Sequence, residues 1–389
     1  MVFLGISICE LAMCNRERCN MGKKPNVYVA IMAGGGGTRF WPWSREERPK
    51  QILPIVSHRS MIWETVGRLR PFIPPEKIFI VTSQSQAEGL HREVPQIPKS
   101  NLLLEPVGRN TAPCLCLAAL HIEKKNPQAV MVALPADHFI PDRPGFLRTL
   151  RAAVQFAADQ DFLITLGVRP TEPETGYGYI QKGETLGMVE GMPVFRAKAF
   201  REKPPLRKAR VYLRRQDYFW NSGMFIWQAG VFLEAAKKFL PRLYGEMKLL
   251  QNSLGTPQGR KALEKIYARA QPVSVDYGIM EKADNVALIE AQFSWNDVGS
   301  WAALGKIWPK DRKGNALMGG TRPGRGKILA IDSSDCLVRG EEKLIAVIGL
   351  KDMIVVESGN AFLICPRERS QEVRRVLQEL KNRSWKEYL

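Results

Sequence analysis

VYVAIMAGGGGTRFWPWSREERPKQ, residues 27 to 51, runs from an apolar, β-branched stretch into four consecutive glycines and then into four positive and three aromatic side chains. An unbroken apolar run that stops in glycine is the pattern of a buried strand feeding a loop. Gly34, Gly35, Gly36 and Gly37 let backbone N–H groups approach phosphate oxygens with no Cβ in the way. Thr38 and Arg39 follow directly, and Lys50 arrives after Pro49. The spacing is not that of a dinucleotide fold. Counted from Gly34 and Gly36 the third glycine position holds Arg39, and from Gly35 and Gly37 it holds Phe40. No Lys-Ser or Lys-Thr pair follows, so this is not a P-loop ATPase. The local reading is a triphosphate or pyrophosphate cradle with two cationic partners; a plain tight glycine turn is the alternative.

The stretches around it repeat the strand pattern. KIFIVTS at 77–83, NLLLEP at 101–106, AVMVALPAD at 129–137 and DFLITLGV at 161–168 are apolar runs of the same character. Helical periodicity lies between them. In TAPCLCLAALHIEKK, Thr111 is placed to cap the first turn, and Leu115, Ala118, Ala119 and Ile122 share a face. Strands alternating with helices predict an α/β unit with a mainly parallel sheet, whose ligands gather beyond the carboxyl ends of the strands. After residue 170 the rhythm loosens into a less regular sheet, and VFLEAAKKFLPRLYGEMKLL reads as a helix pair or one helix interrupted at Pro241. From about residue 310 short apolar runs at close spacing predict a small β-rich domain, closed by a terminal helix with Val373, Val376, Leu377 and Leu380 on one stripe.

The chain of 389 residues carries 57 Lys and Arg against 39 Asp and Glu, a formal net charge of +18. That balance favours anionic partners without choosing among nucleotides, sugar phosphates and nucleic acid. No long basic block interleaved with aromatics occurs, so the expectation is no nucleic acid partner. Seven cysteines, an odd number, do not form a disulfide framework. Cys9, Cys14 and Cys19 lack the paired short spacings of a metal site, and the first 25 residues read as a loose extension, with Met21 as an alternative start. Glu10 interrupts the one apolar stretch that resembles a signal peptide, and no segment reaches the roughly 18 apolar residues of a membrane span. A cytoplasmic protein with no membrane partner is expected.

Eight segments in order then resemble one family. GGGGTRFWPWSREERPKQ is similar to the signature of nucleotide-sugar pyrophosphorylases. EPVGRNTAP at 105–113, LPADH at 134–138, GYGYI at 176–180, FREKP at 200–204, WNSGMFIW at 220–227, SVDYGIMEK at 274–282 and WNDVGSW at 295–301 resemble its mannose-1-phosphate guanylyltransferase branch. The resemblance covers roughly residues 26 to 308. It implies a Rossmann-like α/β nucleotidyltransferase domain over 26–308 with a mixed, mainly parallel sheet. Over 309–389 it implies a small β-rich, β-helix-like domain ending in a helix. The implied reaction joins GTP and mannose 1-phosphate into GDP-mannose and diphosphate, with Mg2+ as cofactor and a homodimer as the candidate assembly.

Residue by residue, the resemblance implies that Gly34 to Thr38 wrap the nucleotide phosphates, that Arg39 holds the leaving diphosphate and that Lys50 lies against the phosphoryl group under attack. Asp137 and Asp297 would bind the magnesium, and His138 would support or pack rather than act as a base. Arg109 and Asn110 would help to read guanine and position phosphates. Gly178, Glu202, Lys203 and Asn221 would receive the sugar phosphate. An ionised sugar phosphate needs no general base, so alignment and charge neutralisation are the expected work, in a direct in-line displacement. Other acceptors such as glucose 1-phosphate, and another purine triphosphate as donor, fit the same motifs. Trp220 reads equally as core or ligand wall. Phe40, Trp41 and Trp43 either pack the loop or close over the nucleotide; the sequence leaves both open.

Overall fold

The computed structural model describes residues 24–320 and 325–389. The Cys9, Cys14, Cys19 group and nearly all of the expected N-terminal extension lie outside the described residues. Nine strands make the main sheet: β1 Val27–Met32, β2 Ile78–Ser83, β3 Leu102–Glu105, β4 Val130–Pro135, β5 Leu163–Val168, β6 Tyr179–Val189, β7 Met192–Arg201, β8 Tyr218–Gln228 and β9 Val286–Glu290. Their order is β3-β2-β1-β4-β8-β5-β9-β7-β6. The pairs β3–β2, β2–β1, β1–β4 and β5–β9 are parallel, and β8 runs antiparallel between β4 and β5. The sheet is therefore mixed and mainly parallel, as the alternating pattern predicts.

Both faces are covered, which is why β1, β2, β4 and β5 read as continuous apolar runs. One core gathers the helices Thr111–Lys125 and Ala229–Phe239 against the sheet, and the other gathers Met61–Leu69 and Arg143–Asp159. Pro241 divides its segment into two helices, Ala229–Phe239 and Pro241–Lys248. One expected detail moves by a residue. Asn110, at φ 70°, accepts from the Thr111 amide at 2.8 Å, while Thr111 begins the helix and its hydroxyl accepts from the Val275 amide at 2.8 Å. Asparagine tolerates that left-handed backbone better than a β-branched threonine.

Beyond the helix Trp301–Ile307 the chain coils. Strands β10 Ala316–Met318, β12 Leu337–Arg339 and β14 Met353–Ser358 stack in parallel on one side, with β15 Ala361–Pro366 antiparallel at the end; β11 Ile328–Ile331 pairs with β13 Ile345–Ile348 on the other. Alternate strands pairing in parallel is the connectivity of a β-helix. The closing helix is Val373–Asn382. Phe40, Trp41 and Trp43 are buried in a core shared with Trp301 and Trp308 and with Leu337, Ile354, Val373 and Leu380 of the β-rich part. Among the described residues, no helix is long and apolar enough to cross a membrane.

Candidate active site

Strands β1, β3, β4 and β9 all end at the same edge of the sheet, and the glycine loop, Glu105, Asp137 and Asp297 follow them there. This is the crevice that open α/β sheets offer to ligands. Side chains fix the loop at both ends: Gln51 Nε2 donates to the carbonyls of Ala33 at 2.7 Å and Gly35 at 2.9 Å, and Ser44 Oγ donates to the Gly37 carbonyl at 2.6 Å. Gly37 has φ 59°, and a Cβ there would lie 2.5 Å from both the Lys50 amide nitrogen and its Cβ. Gly35 has open space around it, which leaves backbone accessible to a ligand.

Lys50 is buried, and its ammonium donates to the Asp297 carbonyl at 2.7 Å and pairs with Asp137 Oδ2 at 2.8 Å. Burial opposes the charge on Asp137, but the Lys50 ammonium beside it holds its carboxyl below the usual range. Arg39 Nη1 donates to the Gly299 carbonyl at 3.2 Å, directly beside the Asp297 segment.

The two aspartates are far apart in sequence, yet backbone joins them. Phe139 and Asn296 exchange both amide bonds, at 2.8 and 3.0 Å, in an isolated antiparallel bridge, which sets His138 opposite Asp297 and carries Asp137, one residue earlier, to the same segment. His138 Nδ1 accepts from Trp295 Nε1 at 3.0 Å, and burial lowers its imidazole to about 4. The imidazole is thus an acceptor held in place by an indole beside the bridge. Tyr177 donates to Asp297 Oδ1 at 2.7 Å, and a Cβ on Gly299 would lie 2.5 Å from Asp297 Oδ2, so a larger residue there would displace the carboxylate. Tyr177 went unnoticed in the sequence, although GYGYI contains it.

Among the described residues, no group of three or more His, Cys, Asp and Glu side chains could hold a metal by itself. The donor set at this edge is two carboxylates, hard oxygen ligands. It fits a divalent cation that completes its shell with phosphate oxygens and water.

The other end of the crevice is acidic. Glu202 Oε1 pairs with Lys203 at 2.8 Å, while its Oε2 is buried with no hydrogen-bond partner among the described residues. A Cβ on Gly178 would lie 2.4 Å from that oxygen. Asn221 donates to Asp276 Oδ1 at 2.7 Å and accepts from Thr165 at 3.1 Å. Burial and the neighbouring Glu202 raise the Asp276 carboxyl to about 6. An orphaned carboxylate oxygen in a glycine-walled niche is a place for a hydroxyl donor. Asp276 was missed in sequence because a lone acid inside SVDYGIMEK has no local signal. Trp220 belongs to a small aromatic core with Tyr179 and Tyr218, and Tyr177 meets its ring edge-on at 5.3 Å.

Arg109 and Asn110, expected at the base and phosphates, also serve the fold. Arg109 donates to the carbonyls of Tyr267 at 2.7 Å and Ala268 at 3.1 Å, and the Asn110 side-chain oxygen caps its helix.

Residues 28–314 match a family model described as Nucleotidyl transferase, and residues 326–380 match one described as MannoseP isomerase/GMP-like beta-helix domain. A mannose-1-phosphate guanylyltransferase of Klebsiella pneumoniae is 38% identical over 362 residues, 92% of this chain and 74% of that protein. One from Escherichia coli has the same identity and coverage. A crystal structure from Thermus thermophilus, described as a mannose-1-phosphate geranyltransferase, superposes with a TM-score of 0.80 at 34% identity, covering 92% of this chain and 99% of that one.

Proposed function

Because the chain belongs to the nucleotidyl transferase family, in its mannose-1-phosphate guanylyltransferase branch, we propose that it transfers the guanylyl group of GTP to mannose 1-phosphate, releasing diphosphate. The observation that carries this reading is the division of the crevice. A buried lysine and two aspartates stand at the glycine loop, and an unpaired carboxylate oxygen waits at the opposite end.

The triphosphate lies along Gly34 to Thr38, whose backbone approaches its oxygens. Arg39 receives the β and γ phosphates and Lys50 the α phosphate, where charge accumulates as the bond to the leaving diphosphate lengthens. Glu202 accepts from sugar hydroxyls, and Lys203 steadies the sugar phosphate. Gly178 keeps the niche open, and Asn221 holds Asp276 as its second acid. A phosphate oxygen of the sugar, already ionised, attacks the α phosphorus in line; no proton needs to be removed. Asp137 and Asp297 would hold a magnesium ion, which when bound supplies charge neutralisation on the triphosphate.

Diphosphate release from GTP and mannose 1-phosphate tests the assignment. Wild type should turn over with magnesium and stop with a chelator. Asp137→Asn should lose about a hundredfold or more in kcat while remaining folded, with a lowered melting temperature because the buried Lys50 loses its partner. Undiminished turnover by a folded Asp137→Asn rejects the metal role, and release with no sugar phosphate requirement rejects the acceptor.

A further inference from the structure

The acidic end of the crevice is ill-suited to one half of its ligand. Glu202, Asp276 and Glu281 converge there, the last accepting from the Glu202 amide at 2.7 Å, and Lys203 is the cation paired among them. Carboxylates suit the hydroxyls of a sugar, but the same sugar carries a phosphate dianion, which they repel.

From Lys203 the chain passes through Pro204 and Pro205 into the helix Leu206–Arg215, whose sequence LRKARVYLRR holds Arg207, Lys208, Arg210, Arg214 and Arg215 and no acid. Ala209 is its buried residue, and Tyr212 stacks on Tyr218 at 4.0 Å and meets Tyr179 at 5.4 Å. Tyr179 pairs with Trp220 across β6 and β8, and these two directly adjoin Gly178 and Asn221, so the helix is fastened to the strand ends that carry the niche. At about 100° per residue, Arg207, Arg210 and Arg214 share an exposed sector about 60° wide.

A merely solvated helix mixes its charges, and this one does not. Arg207 and Lys208 stand in the first turn, where the helix dipole favours acids, and Arg210 and Arg214 are like charges one turn apart. Among the described residues only Arg215 of the five has a carboxylate partner, Asp217 at 3.0 Å. Each placement weakens the helix locally, and no pairing within it compensates.

We infer that this helix collects the acceptor: its exposed cations draw the sugar phosphate dianion to a niche whose own carboxylates would turn it away. A rim of one sign raises the local concentration of the opposite ion without contact. The donor end has its own cations, Arg39 and Lys50, so the helix acts on the acceptor. The inference rests on a sugar phosphate being that acceptor.

The test measures kcat and KM for mannose 1-phosphate, with GTP saturating, at ionic strengths of about 0.02 M and about 0.2 M, between which screening tightens severalfold. Wild-type KM should rise about threefold to tenfold with salt at nearly constant kcat. Arg207→Gln, Arg210→Gln and Arg214→Gln combined should show a similarly raised KM already at low salt, little further salt dependence, an unchanged kcat and a KM for GTP within about twofold of wild type. Lysine at the same three positions keeps the charge and should keep wild-type values. Lys310→Gln, Arg312→Gln and Lys327→Gln combined remove the same net charge from exposed positions in the β-rich part and should also leave KM alone. The inference is overturned by a folded glutamine triple with wild-type KM and salt response, by an equal rise in the KM for GTP, by loss of function in the lysine triple, or by a remote triple that matches the helix triple. Diphosphate release from GTP by wild type with no need for a sugar phosphate is a different failure, that of the proposed acceptor itself.

Discussion

Three acids, Asp137, Glu105 and Asp276, differ in legibility and in surroundings: Lys50 pairs with the first, while burial raises the other two. Asp137 stood out because it ends an apolar strand, and the same rule applies to Glu105 at the end of NLLLEP. What hid Glu105 was its neighbour Arg109, a residue type that suggests ligand contact but here satisfies backbone carbonyls. Asp276 had no such pattern, since its partner Glu202 lies 74 positions away. The environment of Glu105 has a measurable cost. Its carboxyl rises from 4.5 to about 7 on burial, with the Tyr267 hydroxyl opposing that shift and Cys114 also facing it. A raised acid stabilises the fold below its unfolded value and loses that contribution as pH climbs through the folded one. The stability of wild type relative to Glu105→Gln should therefore fall between about pH 4.5 and pH 7, by at most about 3 kcal/mol. Urea melts of both proteins at pH 5, 6 and 7.5 measure it; a difference that stays constant contradicts the assignment.

At the scale of the element, the strands and helices were legible wherever periodicity was strong. The five apolar runs from β1 to β5 and the helix Thr111–Lys125 lie where the pattern predicts. Pattern could not reveal that β8 inserts antiparallel between β4 and β5, because a strand's residues do not record the direction of its neighbours. The glycine loop was legible in composition but not in its tolerances. Gly35 has room for a side chain, while Gly37 combines φ 59° with the Lys50 backbone at van der Waals violation distance. Gly37→Ala should cost about 1–3 kcal/mol in urea denaturation, and it should lower turnover by displacing Lys50. Gly35→Ala should leave stability within about 1 kcal/mol of wild type. Equal effects from the two substitutions would contradict the loop geometry.

For the whole molecule, the open question about the aromatic residues is resolved by distance in sequence. Phe40, Trp41 and Trp43 pack the loop from behind, and their neighbours are Trp301, Trp308 and the β-rich part. Arg339 stacks 3.9 Å above the centre of the Trp43 ring. No local pattern foretells a partner some 300 positions away. Trp43→Ala should destabilise the chain by about 3–5 kcal/mol. With this core shared, the intact protein should melt in one transition seen by both tryptophan fluorescence and far-UV circular dichroism. Two separated transitions would mean that the parts fold independently. The clasp goes further along the chain: Trp41 Nε1 donates to the Tyr388 carbonyl at 2.7 Å, and the Arg45 guanidinium reaches the same oxygen. On the ribosome, the residue that pins the glycine loop emerges 347 residues after the Trp41 it holds. A growing chain therefore carries an unlatched loop until residue 388 has cleared the exit, and a chain clipped short of it is left with the same handicap.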